Sequence, residues 1–207
     1  MLRTKIVRLK IINKRKTKAG SSAQGRLRII GGSWRSRVLP VPDAEGLRPT
    51  TDRVRETLFN WLQTDVPGSR CLDLFAGSGA LGLEAASRGA SEVVMVEKAS
   101  AVYKTLQQNI KTLGASQVSV MNQDALRFLN QQSAACEGSL KFDIVFLDPP
   151  YQSALLEPVI ELLPLAAGTK VYLEARKGDD ITVPKNWLPL KDKLAGQIHY
   201  SLYEIEG

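Results

Sequence analysis

Residues 70–82 read Arg70-Cys71-Leu72-Asp73-Leu74-Phe75-Ala76-Gly77-Ser78-Gly79-Ala80-Leu81-Gly82, and no other stretch restricts the fold so tightly. An apolar run ends in an acid, passes through a glycine turn and opens a helix. That hand-over is the start of a βαβ unit, and such units stack into a mostly parallel sheet with right-handed crossovers. The alternation continues along the chain. Strands are predicted near 70–75, 92–97, 117–121, 142–147 and 169–174, and helices near 79–88, 99–113, 124–132 and 154–165. The alternating run from Ile198 to Ile205 predicts an antiparallel strand that completes the sheet, paired with residues from Trp187 to Lys191. The fold class is therefore α/β.

Gly77, Gly79 and Gly82 satisfy the dinucleotide fingerprint G-x-G-x-x-G, and Glu97 ends the next strand where ribose hydroxyls are bound. A nicotinamide cofactor must be weighed on that ground. Asp73 argues against it, because a carboxylate beside the glycine turn repels a pyrophosphate. The same carboxylate suits the ammonium group of S-adenosylmethionine. Asp124, in Asn122-Gln123-Asp124-Ala125, ends the third strand and can accept from an adenine amine while the next amide donates to the ring. Each acid alone also reads as an exposed strand-end cap. Together, beside a glycine turn, they favour an adenosyl ligand without phosphates.

The buried run Ile144-Val145-Phe146-Leu147 delivers Asp148-Pro149-Pro150-Tyr151 to another strand tip, where open α/β sheets bind ligands. Each proline fixes its own φ, extends the residue before it and has no N–H. The Asp148 carboxylate, the Pro149 carbonyl and a flat ring then remain to hold a planar substrate with an exocyclic amine. A proline-rich turn closing a strand is the bland alternative.

Charge separates the two ends of the chain. Residues 1–60 carry 15 Lys and Arg against 4 Asp and Glu, whereas the remainder carries 13 against 17. That split suggests a polyanion-binding arm on a near-neutral body. Residues 1–25 read as a basic flexible arm, ending in the polar linker Ala19 to Gly25. Arg26 to Ile30 and Trp34 to Leu39 flank Gly31-Gly32 as a predicted hairpin. Arg26, Arg28, Arg35 and Arg37 would make one of its faces cationic, beside Trp34. After Leu47-Arg48-Pro49-Thr50-Thr51, Asp52 is the expected cap of a helix carrying Val54, Leu58, Trp61 and Leu62 inward and Arg53 and Arg55 outward. No apolar run approaches the roughly 20 residues of a membrane span, and no signal peptide is recognisable. Cys71 and Cys136 read as free thiols in a reducing cytoplasm, and the lone His199 as structural. No Cys/His spacing suits zinc, so no metal is expected.

The runs Arg28 to Gly32, Trp34-Arg35, Leu47 to Leu62 and Asp73 to Gly82, followed by Asp148-Pro149-Pro150-Tyr151, resemble the bacterial 16S ribosomal RNA guanine-N2 methyltransferase D family over residues 26–205. The family belongs to the class I methyltransferases that use S-adenosylmethionine. The resemblance implies a monomeric, Rossmann-like, mostly parallel seven-stranded sheet with a basic N-terminal hairpin extension. It implies methylation of N2 of one guanine in 16S rRNA of the small (30S) subunit, releasing S-adenosylhomocysteine. Cofactor roles then fall to Asp73, Phe75, Gly77, Gly79, Glu97, Lys98, Asp124 and Ala125. Catalysis falls to Asp148, Pro149, Pro150 and Tyr151, and RNA binding to Arg26, Arg28, Trp34, Arg35, Arg37, Arg48, Arg53 and Arg55. Residues 26–66 become an RNA-binding hairpin and helix extension, and 67–207 the methyltransferase domain of a cytoplasmic monomer. The rivals are a non-enzymatic RNA-binding assembly factor with a vestigial cofactor pocket, and a DNA or protein amino-methyltransferase.

Overall fold

Two short antiparallel strands, β1 (Gly25–Arg28) and β2 (Val38–Val41), precede the helix α1 (Asp52–Trp61) in the computed structural model. The alternating part then runs β3 (Arg70–Asp73), α2 (Ala80–Ser87), β4 (Glu92–Glu97), α3 (Ser100–Leu113), β5 (Val118–Asn122), α4 (Ala125–Ala135), β6 (Ile144–Leu147), α5 (Leu156–Leu162) and β7 (Lys170–Arg176). The hairpin β8 (Trp187–Ala195) and β9 (Ile198–Ile205) closes the chain. The structure describes residues 25–42, 51–135, 141–150, 154–163 and 165–207. The expected arm up to Gln24, and Arg48, Cys136 and Tyr151, lie outside them.

Seven strands form one sheet in the order β5-β4-β3-β6-β7-β9-β8. Strands β3 to β7 are parallel, and β9 inserts antiparallel between β7 and β8. From β3 the chain steps outward through β4 to β5, then returns to the other side of β3 for β6. The order reverses between β3 and β6, and a crevice opens there beyond the carboxyl ends. Both faces of the sheet are covered, so its central strands are apolar throughout. Ile144, Val145, Phe146 and Leu147 are all buried. One core unites β1, β2, α1, α2 and α3, and the other lies under α4 and α5. Phe146 sits at the first, with its ring centroid 6.0 Å from that of Phe59 and 6.4 Å from that of Tyr172.

The N-terminal hairpin departs from its predicted form. Its strands pair Arg26 with Pro40 and Arg28 with Val38. The connection is long, and Gly32–Trp34 forms a 3-10 turn within it. Trp34, Arg35 and Arg37 therefore lie on the connection, not on a strand face. Local turn chemistry did not set this length; docking on α2 did. Ile30 and Gly31 each donate a backbone N–H to the Glu84 carboxylate at 2.8 Å, and Trp34 N donates to Ser87 Oγ at 3.0 Å. Gly32 adopts φ +75°, and a Cβ there would stand 1.8 Å from the Ser87 carbonyl oxygen. Only glycine fits so close to the helix.

The start of α1 is also corrected. Thr51, in extended conformation, is the N-cap, and its side chain accepts from Val54 N. Asp52 is the first helical residue, where a negative charge suits the helix dipole. Arg28, whose Nη2 donates to the Asp52 carboxylate at 2.7 Å, holds that carboxyl below the usual range.

Candidate active site

Three acids stand at successive strand ends on one side of the reversal. Asp73 ends β3 and is 1% exposed. Its Oδ2 accepts from Gly82 N at 2.9 Å, within α2. Its Oδ1 is buried and accepts no well-formed hydrogen bond among the described residues. Burial pushes this carboxyl up to about 7, with the Gly82 and Phe75 amides acting in the other direction. A buried carboxylate oxygen without a donor is expensive. It is the natural seat for a cationic group brought by a ligand.

Glu97 ends β4 and pins the turn between β3 and α2. Its Oε2 accepts from Gly77 N at 2.9 Å and its Oε1 from Ala99 N at 2.6 Å. Burial raises its carboxyl, and those amides oppose the rise. Gly79 opens α2 at φ +80°, and a Cβ there would meet Leu106 Cδ2 at 2.7 Å. The turn is thereby packed closely against α3.

Asp124 follows β5 and caps α4, its Oδ1 accepting from Leu126 N at 3.1 Å. Its Oδ2 lies 3.1 Å from Lys98 Nζ, and this bond holds the carboxyl below its usual range. The cap expected of Asp124 is present, and a carboxylate has lone pairs for about four donors. Ala125 opens α4, where first-turn amides have no intrahelical acceptor.

Asp148 and Pro149 emerge from β6, across the reversal from Asp73. Leu74 N donates to the Phe146 carbonyl at 3.2 Å, which keeps the two strand ends together to the last residue. Asp148 is half-buried, Pro149 buried and Pro150 exposed. A cleft of about 220 Å³ opens on the β7 side of the two prolines. The structure thus brings together Asp73, Gly77, Gly79, Glu97, Asp124 and Asp148 along the carboxyl edge of four strands. The described residues hold no cluster of His, Cys, Asp and Glu able to bind a metal, and no helix among them is long and apolar enough to cross a membrane.

The basic residues divide. Arg26, Arg35 and Arg53 are exposed. Arg37 is exposed and donates to the Thr112 carbonyl at 3.1 Å. Arg28 is exposed and paired with Asp52. Trp34 is half-buried against the core. Arg55 does not belong with them. It is 1% exposed, and its Nη2 donates to the Arg28 carbonyl at 3.0 Å and to Asp52 Oδ1 at 2.6 Å. Its Nη1 lies 3.7 Å from Glu84 Oε2. No phosphate can reach it, so its assignment to RNA binding is withdrawn. Helical spacing placed it outward, but the docked hairpin covers that face.

Two acids escaped the sequence reading. Glu84 is fully buried in α2, where it gathers the hairpin amides, Arg88 Nε at 2.7 Å and Arg55. Its signal was a single charge inside Ala80–Ser87, a helix otherwise of small and apolar residues. Glu174 is buried in β7 beside the cleft. Its signal was an acid at the end of a predicted buried strand, the same pattern that singled out Asp73 and Glu97.

A family model described as "Conserved hypothetical protein 95" matches residues 27–204. The curated "Ribosomal RNA small subunit methyltransferase D" of Escherichia coli (strain K12) is 48% identical over 195 residues, covering 92% of this chain and 96% of the relative. The protein of the same name from Haemophilus influenzae is 46% identical, covering 88% and 96%. The solved structure titled "Putative methyltransferase yhhF from Escherichia coli" superposes with a TM-score of 0.78 at 46% identity, covering 88% of this chain and 99% of that one.

Proposed function

Because the chain belongs to the ribosomal RNA small subunit methyltransferase D family, we propose that it methylates the N2 amine of a guanine in 16S rRNA of the small ribosomal subunit, with S-adenosylmethionine as donor. The carrying observation is the buried Oδ1 of Asp73, which accepts no well-formed hydrogen bond among the described residues, one strand from Asp148 at the reversal of the sheet. The first suits the ammonium of an amino-acid moiety, and the second suits an amine to be methylated. A nicotinamide dinucleotide would put a pyrophosphate against Asp73, so the site fits it poorly.

S-adenosylmethionine, when bound, supplies a methyl group on a sulfonium sulfur. Asp73 would hold its ammonium, Glu97 its ribose hydroxyls, and Asp124 with the Ala125 amide its adenine. Phe75 borders that site, and Lys98 keeps Asp124 ionised and oriented. Asp148 and the Pro149 carbonyl take the two N–H bonds of the guanine amine. Its lone pair, otherwise delocalised into the ring, is fixed for attack. The prolines leave no backbone N–H to compete for those acceptors. Tyr151 is assigned, from sequence alone, to stack on a base splayed from its loop, worth roughly 1–3 kcal/mol. Arg26, Arg28, Arg35, Arg37 and Arg53 hold phosphates, with Arg48 added on sequence grounds. Residues 26–66 serve as the RNA-binding extension and 67–207 as the catalytic domain of a cytoplasmic monomer.

The test offers tritiated S-adenosylmethionine with 30S subunits from cells lacking the protein, beside free 16S rRNA and DNA. Label should enter the rRNA, and Asp148→Ala should slow the transfer about 10²–10³-fold. Unchanged turnover in the variant removes Asp148 from the mechanism. No label anywhere, with RNA binding intact, favours a non-enzymatic assembly factor.

A further inference from the structure

The RNA contacts assigned above all lie in residues 26–66, yet the sheet carries cations of its own. Register places them, because residues directly opposite in an antiparallel pair share a face. Tyr200 on β9 pairs with Glu174 on β7 and with Lys193 on β8. Leu202 likewise pairs with Tyr172 and Lys191, and Ile198 with Arg176. Ile198, Tyr200 and Leu202 belong to the core on the α1 side, so Arg176, Lys191 and Lys193 emerge on that side. All three are exposed.

On the reading that small-subunit rRNA is the substrate, we propose that this face of β7 and β8 is a second RNA-binding surface, where Arg176, Lys191 and Lys193 hold phosphates flanking the methylated nucleotide. The first argument is position. Leu147 pairs with Leu173, Leu173 with Ser201 and Ser201 with Asp192, so Asp148 and Lys193 each stand one residue beyond the same row. Three strand spacings of about 4.8 Å put Lys193 roughly 14 Å along the sheet from Asp148. Arg176 ends β7, the neighbour of β6, at the same carboxyl edge. The second argument is the segregation of charge. Asp192 turns to the opposite face, where its carboxylate meets His199 and Ser201. Glu204 pairs with Lys170 at the amino end of β7, and Glu174 is buried. Asp179, past the end of β7, accepts the Arg176 backbone amide at 3.2 Å. The face thus offers cations to solvent while the acids of these strands are buried, paired or turned away, which suits a phosphodiester strand. Lys193 is also held in place. Its Nζ lies 5.8 Å from the centre of the Trp61 ring, and Trp61 stacks on Tyr200 with centroids 5.4 Å apart at 25°. Trp61 ends α1, whose first turn carries the exposed Arg53, so this helix joins the new face to the N-terminal cations.

The test measures binding to small subunits from cells lacking the protein, across a salt series. Arg176→Ala, Lys191→Ala and Lys193→Ala combined should reduce the log–log salt slope by about 2, at about 0.7 for each single-strand phosphate contact. Lys191→Arg with Lys193→Arg should keep the natural slope, since a phosphate takes either cation. The triple variant should bind S-adenosylhomocysteine as the natural protein does, which reports an intact fold. A folded triple variant with the natural slope overturns the proposal. Independently of that variant, a photo-crosslinker at position 191 should join the protein to 16S rRNA. Attachment to ribosomal proteins alone, or to nothing in the bound particle, also overturns it. A natural protein whose binding to subunits ignores salt is a different result: it removes the rRNA reading, and this inference with it.

Discussion

Replacing Asp73 with Asn should flatten the dependence of ligand-free stability on pH. The folded-state pKa of about 7 stands above the ordinary 3.8, so the folded protein holds this proton more tightly than the unfolded chain. Stability from this group is present at low pH and is lost as pH rises from about 4 through about 7. The rise from 3.8 to about 7 corresponds to about 4 kcal/mol in all, of which roughly 2–3 kcal/mol is lost between pH 5 and pH 8. Asn cannot ionise. Its amide leaves an N–H without an acceptor, which costs about 1–3 kcal/mol at every pH and lowers the curve without tilting it. Glu97, also raised by burial, titrates in both proteins, and its charge adds to the rise at Asp73, so the difference between the curves reports the coupled pair. Urea unfolding at pH 5, 6, 7 and 8 measures both slopes. S-adenosylhomocysteine at about 100 times its Kd should stabilise the natural protein by about 2.7 kcal/mol and Asp73→Asn far less. Parallel pH curves for the two proteins would refute the account of Asp73 as a buried acid awaiting a cation.

Glu84→Ala removes the acceptor for two hairpin amides and for Arg88, and leaves buried Arg55 with Asp52 as its remaining carboxylate, so urea unfolding should show a loss of about 3–5 kcal/mol. An effect under about 1 kcal/mol would mean that the hairpin is not anchored through this acid. Arg35→Ala and Arg53→Ala should weaken rRNA binding and reduce the log–log salt slope by about 0.7 for each lost phosphate contact. Arg55→Ala should lower stability and leave that slope unchanged; filter binding across a salt series separates the three, and a slope altered by Arg55→Ala alone would reverse the assignment.

Periodicity and chain order made the parallel strands and their crossover helices legible. Helices at 100–113 and 125–135 and strands at 92–97 and 144–147 fall within a few residues of the pattern, because buried parallel strands are continuous apolar runs and helices announce their period. The glycine turn and the acids after β3, β4 and β6 were visible because a strand end followed by a glycine or proline turn is a local signal. Glu84 and Arg55 were not. Their meaning depends on a hairpin more than 50 positions away from Glu84 folding onto α2, and no local pattern encodes that contact. The same docking lengthened the hairpin connection and moved Arg35 and Arg37 off the strand where alternation had placed them. Glu174 had the same local signal as Asp73, but the glycine turn that drew notice to the other acids is absent beside it.

The chemical identity of the product tests the central claim most directly. Small-subunit rRNA labelled from tritiated S-adenosylmethionine is digested to nucleosides and separated by chromatography. The proposed function predicts radioactivity in N2-methylguanosine alone. Label in N6-methyladenosine or N4-methylcytidine would contradict it.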